Sequence, residues 1–280
     1  MKFKIVSDSS SNIFNIKEVD YKSVPLKIIT DEAEYIDTPE LNVLNMVEDL
    51  KKYKGKSGSS CPNAHEWEEA FGDADCVFGI TISSNLSGSY AAATQASESF
   101  LEKHPSSKVY IIDSLSAGSE LHLIIEKLCE YIQAGKSFEE IVETIKEYQK
   151  HTHLLFGLQS LTNLARNGRI NPAVAKVCGI IGIRLLGKAS DVGTLQPMHK
   201  FRSEKKLLQG FVDEMLALKW KGQKVRICHC LNLQGANQLK AMLLEKYPAT
   251  DIEIVDCTAL CSFYAEEGGL LIGFEDENVK

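Results

Sequence analysis

Hydroxyl side chains crowd into four short stretches of this chain. They are D-S-S-S at 8–11, G-S-S-C-P-N at 58–63, S-S-N-L-S-G-S-Y at 83–90 and D-S-L-S-A-G at 113–118. In an open α/β sheet, ligands bind where strands end and helices begin, because unpaired backbone N–H groups converge there. One serine-rich stretch alone reads as ordinary capping and turn chemistry. Four of them at the same edge of one sheet would build a polar, uncharged rim able to receive a carboxylate or a phosphate. The Asp–Ser pairs open a second chemistry. Asp8 or Asp113 beside a serine has the makings of a base and a nucleophile, as in an acyl- or phosphoryl-transfer enzyme.

Other chemistries lack their residues. No G-x-S-x-G pentapeptide is present for a serine hydrolase. Gly-Lys-Ser occurs at 55–57 and 135–137, but Leu50 and Glu130 stand where a phosphate-binding loop needs glycine. No G-x-G-x-x-G follows a strand, and His65-Glu66 lacks the second histidine of a zinc-protease helix. His151 and His153 flank an element boundary and read as capping or packing residues. Cys228, Cys230, Cys257 and Cys261 invite a metal reading, but neither pair sits in a glycine-containing knuckle, so they read as small buried hydrophobes. No metal and no cofactor is expected.

The elements that must position these loops follow from the pattern of apolar residues. Strands are predicted at 3–6, 23–29, 76–82 and 108–112, with helices between them at about 39–53, 64–71, 88–103 and 115–133. Thr38 with Pro39 and Asn63 after Pro62 mark helix starts. Strands separated by helices imply right-handed crossovers and a mainly parallel sheet. A helix at 137–150, capped by Ser137, closes this half. Beyond it come the run H-L-L-F-G-L (153–158), a short helix, the turn N-G-R-I-N-P (167–172) and a hairpin of strands at 183–189 and 194–200 joined by S-D-V-G. A helix (203–219), a strand (224–230), a helix (235–246), a strand (252–256) and a final G-G-L-L-I-G-F strand finish the chain. The fold class is α/β in two domains. Residues 1–150 form a mainly parallel sheet flanked by helices, and 151–280 form a second α/β domain with a mixed sheet. Ile180, Ile181, Ile183 and Leu185 read as ordinary core.

The bulk properties agree. An apolar fraction of 44% with 25% charged residues is that of a globular chain. A net charge of −7 without a dense basic block argues against nucleic acid as the partner. No run approaches the roughly 18 apolar residues of a membrane span, so no stable membrane insertion is expected. The opening M-K-F-K-I-V-S-D reaches an aspartate too early for a secretion signal. A cytoplasmic location is expected.

Taken in order, the motifs resemble those of the DegV family over nearly the whole chain. D-S-S-S is followed by V-P-L-K-I (24–28), and S-S-C-P-N (59–63) is similar to the family's T-S-Q-P-S. S-S-N-L-S-G-S-Y is similar to S-S-x-L-S-G-T-Y, R-N-G-R-I (166–170) to K-G-G-R-I, and K-F-R (200–202) to a later basic signature. The resemblance implies two α/β domains with an apolar tunnel between them that holds a long-chain fatty acid. It also implies a carrier without catalytic groups, which presents the acyl carboxylate to a separate fatty acid kinase. Carried over residue by residue, it places Ser59, Ser60, Ser83, Ser84, Ser87 and Gly88 around the carboxylate, with Ser84 favoured as its serine partner. It places Arg166, Arg169 and Arg202 at the tunnel mouth or kinase interface. Two departures stand out. Tyr264, in Y-A-E-E-G-G (264–269), stands where the family has a histidine, and Arg184, Leu185 and Leu186 replace K-P-I-L. A phenol can donate a hydrogen bond but does not become cationic near neutral pH. Without the resemblance, Arg166 and Arg169 beside Gly168 would read as partners of helix C-terminal carbonyls.

Overall fold

The computed structural model describes residues 1–173 and 182–279, so Ile180 and Ile181 lie outside the described residues. Strands β1 (Phe3–Asp8), β2 (Asp20–Val24), β6 (Cys76–Thr81) and β7 (Lys108–Asp113) form a parallel sheet in the order β2-β1-β6-β7. Every residue of β6 is buried, as a strand covered on both faces requires. On one face Ile5, Phe78 and Ile80 pack with Leu121, Ile124 and Leu128 of α4 (Ser119–Gln133) and Ile141 of α5 (Phe138–Tyr148). On the other, Val6 and Val77 meet Trp67 and Phe71 of α2 (Ala64–Phe71) and Phe100 of α3 (Ser89–Lys103). Both α2 and α5 begin with a capping box, Asn63 with Glu66 and Ser137 with Glu140.

The second half supplies a mixed sheet of six strands, ordered β10-β9-β8-β13-β11-β12. These are β8 (Thr152–Leu158), β9 (Arg184–Ala189), β10 (Leu195–Phe201), β11 (Val225–His229), β12 (Ile252–Asp256) and β13 (Leu270–Glu275). The twofold alternation of a strand divides its side chains between two cores. Leu155, Leu186, Ile227 and Ile272 pack under α7 (Glu204–Ala217) and α8 (Leu233–Lys246). Their neighbours Leu154, Phe156, Leu185, Cys228 and Leu271 point toward the first half of the chain. Helix α4 seats on this sheet too. A Cβ at Gly273 would collide with the carbonyl oxygen of Ser119, so glycine permits that approach.

The predicted strand at 23–29 is two strands. Pro25 has no N–H to pair and ends β2, after which the chain leaves the parallel sheet. It continues as β3 (Lys27–Thr30), which forms a separate antiparallel sheet with β4 (Glu34–Ile36) and β5 (Ser57–Ser60), in the order β4-β3-β5. The first half of the stretch at 58–63 is therefore part of a strand, and only three of the four hydroxyl stretches follow strands of the parallel sheet. Helix α1 (Val43–Lys52) starts at an Asn42 cap, later than the Thr38–Pro39 start predicted. The apolar run after Thr258 forms a further helix, α9 (Ala259–Ala265), which the sequence pattern did not separate from its surroundings.

Candidate functional site

The two halves close on a partly open cavity whose wall is almost entirely apolar. Leu26 and Ile82 line it from the first half, and Leu154, Phe156, Leu260 and Leu271 from the second. Its polar side chains are few: Ser59, Ser87, Arg169 and Tyr264. They converge because the segments that carry them touch. A Cβ on Gly58 would lie 3.1 Å from Asn167 Oδ1, and one on Gly88 would lie 3.3 Å from Cys61 Sγ. Strand β5, the 86–88 loop and the 167–169 turn thus meet at one end of the cavity.

Ser59 Oγ and the Tyr264 hydroxyl lie 2.6 Å apart, linking β5 to α9 across the two halves. Arg169 follows α6 (Thr162–Arg166) and the turn at Gly168, whose φ of 73° suits glycine. Its Nε donates to the Leu86 carbonyl at 3.1 Å and one terminal nitrogen to the Asn167 carbonyl. The guanidinium therefore binds carbonyls, as an arginine beside a helix end does, and also lines the cavity. Ser87 stands two residues before the first residue of α3, with Gly88 at the cap position, and its Oγ accepts the Ser89 N–H at 3.3 Å. The positive end of that helix faces the segment that bears Ser87, a favourable setting for an anion.

The remaining predicted residues are placed elsewhere. Ser60 follows Ser59 along β5 and does not line the cavity, as the alternation of a strand demands. Ser83 is fully buried, with its Oγ accepting from the Asn85 N–H at 3.2 Å and Gly193 packed tightly against it. Ser84 is exposed, and its N–H donates to Asp113 Oδ1 at 3.1 Å. Gly88 caps α3 without lining the cavity. Arg166 is exposed on the last turn of α6. Arg202 follows the far end of β10, roughly 20 Å along the strand from the cavity residue Leu195. Among these residues, Ser87 and not Ser84 is the serine of its loop that reaches the cavity wall.

The hydroxyls of 8–11 hold structure. Asp8 is fully buried, and burial raises its pKa although four groups donate to it: the Ser10 hydroxyl and N–H, the Ser89 hydroxyl at 2.7 Å and the Ile82 N–H at 2.9 Å. Neither it nor Asp113, which accepts from the N–H groups of Ser84 and Leu115, lines the cavity. His151 and His153 both lie against Asp276. Cys228, Cys230, Cys257 and Cys261 are buried, free thiols in the core shared by the two halves, and burial pushes Cys230 up to about 11 and Cys228 to about 12. Among the described residues one trio, His122, Glu126 and Glu253, is close enough to share an ion. Arg226 already engages both Glu126 oxygens at 2.8 and 2.9 Å, so that trio belongs to an ion-pair network.

One buried residue that holds the helix of Tyr264 has no counterpart in the sequence reading. Asp37, 1% exposed, accepts from the N–H groups of Ala259 at 2.8 Å and Leu260 at 3.0 Å, and from the Thr258 hydroxyl at 3.0 Å. It caps α9, the helix of Tyr264, from 222 positions away. Nothing local in the sequence joins Asp37 to α9, because its partners lie more than two hundred residues away.

Fold and cavity together define a two-domain α/β protein with an apolar pocket between the domains and a small polar cluster at one end of it. The family model described as "Uncharacterised protein, DegV family" matches residues 2–277. A DegV domain-containing protein of Streptococcus gordonii is 39% identical over 98% of this chain and 99% of its own. Among solved structures, a DegV family protein from Eubacterium eligens loaded with heptadecanoic acid is similar at TM-score 0.97 and 39% identity, over 98% of this chain and 100% of its own. The Streptococcus pneumoniae Fatty Acid Kinase (Fak) B3 protein loaded with linoleic acid is similar at TM-score 0.97 and 39% identity, over 99% and 100%. The chain belongs to the DegV family.

Proposed function

We propose that this protein binds a long-chain fatty acid, with the acyl chain in the cavity and the carboxylate at Ser59, Ser87, Tyr264 and Arg169. The observation that carries the reading is the division of the cavity wall into a large apolar part and a few polar side chains, Ser59, Ser87, Arg169 and Tyr264. Burying some fourteen methylenes offers about 11 kcal/mol of gross transfer free energy. Much of it is offset by the lost freedom of the ligand, so the polar cluster decides orientation. A carboxylate left without donors in such a site would cost several kcal/mol, which the two serine hydroxyls and the phenol avoid. The fatty acids in the Eubacterium eligens and Streptococcus pneumoniae relatives support this assignment.

The protein acts as a carrier that presents the acid to a kinase, and the bound fatty acid is a ligand and not a cofactor. The Streptococcus pneumoniae relative, named for a fatty acid kinase, supports the partnership. Both aspartates that could serve a loop serine as base point away from the cavity, which weighs against the transferase reading. Arg166, exposed beside the polar cluster, is the partner-facing residue in this reading, and Arg202 is too distant to share that role. The domain boundary falls near residue 150, between the last helix of the first half and β8, and the protein works in the cytoplasm. No helix among the described residues is long and apolar enough to cross a membrane.

Mass spectrometry of the denatured, freshly purified protein should release a long-chain fatty acid. Titration with oleate should show one site per chain. Protein that carries no lipid and takes up neither oleate nor palmitate removes the assignment.

A further inference from the structure

We propose that Asp37 is a positioning residue for the carboxylate-binding pair, setting the distance between Ser59 and Tyr264 from the far side of the domain interface. The proposal rests on the fatty-acid reading above and deepens it.

Helix α9 is only seven residues long, so its unpaired N-terminal N–H groups are a large part of its backbone. Thr258 stands at the cap position but makes no capping bond from its own side chain. Asp37 supplies the acceptors, one carboxylate oxygen to the Ala259 N–H and the other to the Leu260 N–H. Its own N–H donates to the Leu26 carbonyl at 3.0 Å, and the Leu26 N–H donates to Ser9 Oγ at 3.0 Å. Asn12 Oδ1 accepts the Thr258 N–H at 2.8 Å. The start of α9 is thereby fixed to the first half of the chain.

The same small sheet carries both contacts. Asp37 follows β4 directly, β4 pairs with β3, and β3 pairs with β5, where Ser59 lies opposite Ile28. Helix α9 carries both counterparts, the capped N–H groups at its start and Tyr264 five residues later, roughly 7 Å along its axis. Sheet and helix therefore meet at two points, and loosening the first frees the helix start to swing, which shifts Tyr264 against Ser59. At the other end, Glu266 takes the Asn163 N–H and the Ser160 hydroxyl, so the swing turns about that anchored end. Burial raises the Asp37 pKa while these N–H groups oppose the rise.

The test compares oleate affinity of the full chain as wild type, Asp37→Asn, Tyr264→Phe and the double variant. Asparagine keeps one acceptor but turns an amide toward an N–H. It should weaken oleate binding by about tenfold, the size expected when one hydrogen bond to a charged group is misplaced. In the Tyr264→Phe background the Asp37 change should have no further effect, because it acts through the phenol. Losses that multiply in the double variant, or wild-type affinity in Asp37→Asn, overturn the proposal. Should Asp37→Asn not fold, Thr258→Ala removes one contact of the same carboxylate and should give a smaller loss, also silenced by Tyr264→Phe. Failure of the wild type to bind oleate would sink the lipid reading alone. Positioning is then read from the Ser59–Tyr264 separation in crystals of Asp37→Asn, where a distance beyond hydrogen-bond reach supports it and an unchanged 2.6 Å overturns it.

Discussion

Replacing Glu120 with glutamine is expected to stabilise this protein above neutral pH and to flatten the dependence of its stability on pH. Glu120 is the second residue of α4 and is 6% exposed. Its two oxygens accept from the Ser116 hydroxyl at 2.5 Å and the Thr152 hydroxyl at 2.7 Å, so it joins the loop before α4 to the start of β8. Burial outweighs those two bonds and pushes its pKa from 4.5 up to about 7. An unfolded chain releases the same proton near pH 4.3, roughly the value of a free glutamate. Through the window between them the native state holds a proton that the unfolded state has lost. Stability from this group is therefore fully present below the unfolded value and declines as pH rises through about 7. At 1.36 kcal/mol per pKa unit, holding the charged form in place costs about 3 kcal/mol. Glutamine cannot ionise and can keep both hydroxyl contacts, so it escapes that cost. Urea unfolding of wild type and Glu120→Gln at pH 5, 6, 7 and 8 would show it. The gap should widen in favour of the variant by about 2.5 kcal/mol across the series. A gap that stays constant with pH refutes the linkage argument.

Three further outcomes follow from the site. Ser87→Ala should weaken oleate binding by about tenfold, while Ser84→Ala, altered at an exposed side chain away from the cavity, should leave it unchanged, both by titration. Ala117→Trp, which adds bulk to a half-buried position in the wall, should exclude oleate while the protein stays folded by circular dichroism. Arg226→Ala should cost roughly 2 kcal/mol in denaturant unfolding, since it removes the buried guanidinium that holds Glu126 and Asp251, while Lys224 stays 3.2 Å from Glu126.

Much of this molecule is written locally. The buried run of β6, the capping boxes at Asn63 and Ser137 and the 190–193 turn of the β9–β10 hairpin are decided by neighbours within a few residues, and the predicted elements there match the structure closely. The failures have local causes too. Pro25 splits one predicted strand into two that join different sheets, which no count of apolar residues reveals. The serines were legible as a group, but their division between cavity and scaffold was not. Ser59 and Ser60 differ only by the alternation of β5, and that alternation has no meaning until β5 is known to be a strand.

The sequence by itself determined the elements of the parallel sheet, most of the later ones, the family and the kinds of side chain available for a carboxylate, because periodicity, caps and ordered motifs are short-range properties. Only the tertiary structure decided which hydroxyls face the cavity and that Asp37 caps a helix more than two hundred residues away. Those contacts join residues distant along the chain, and whether two such residues meet depends on how the sheets pack and not on the identity of either one.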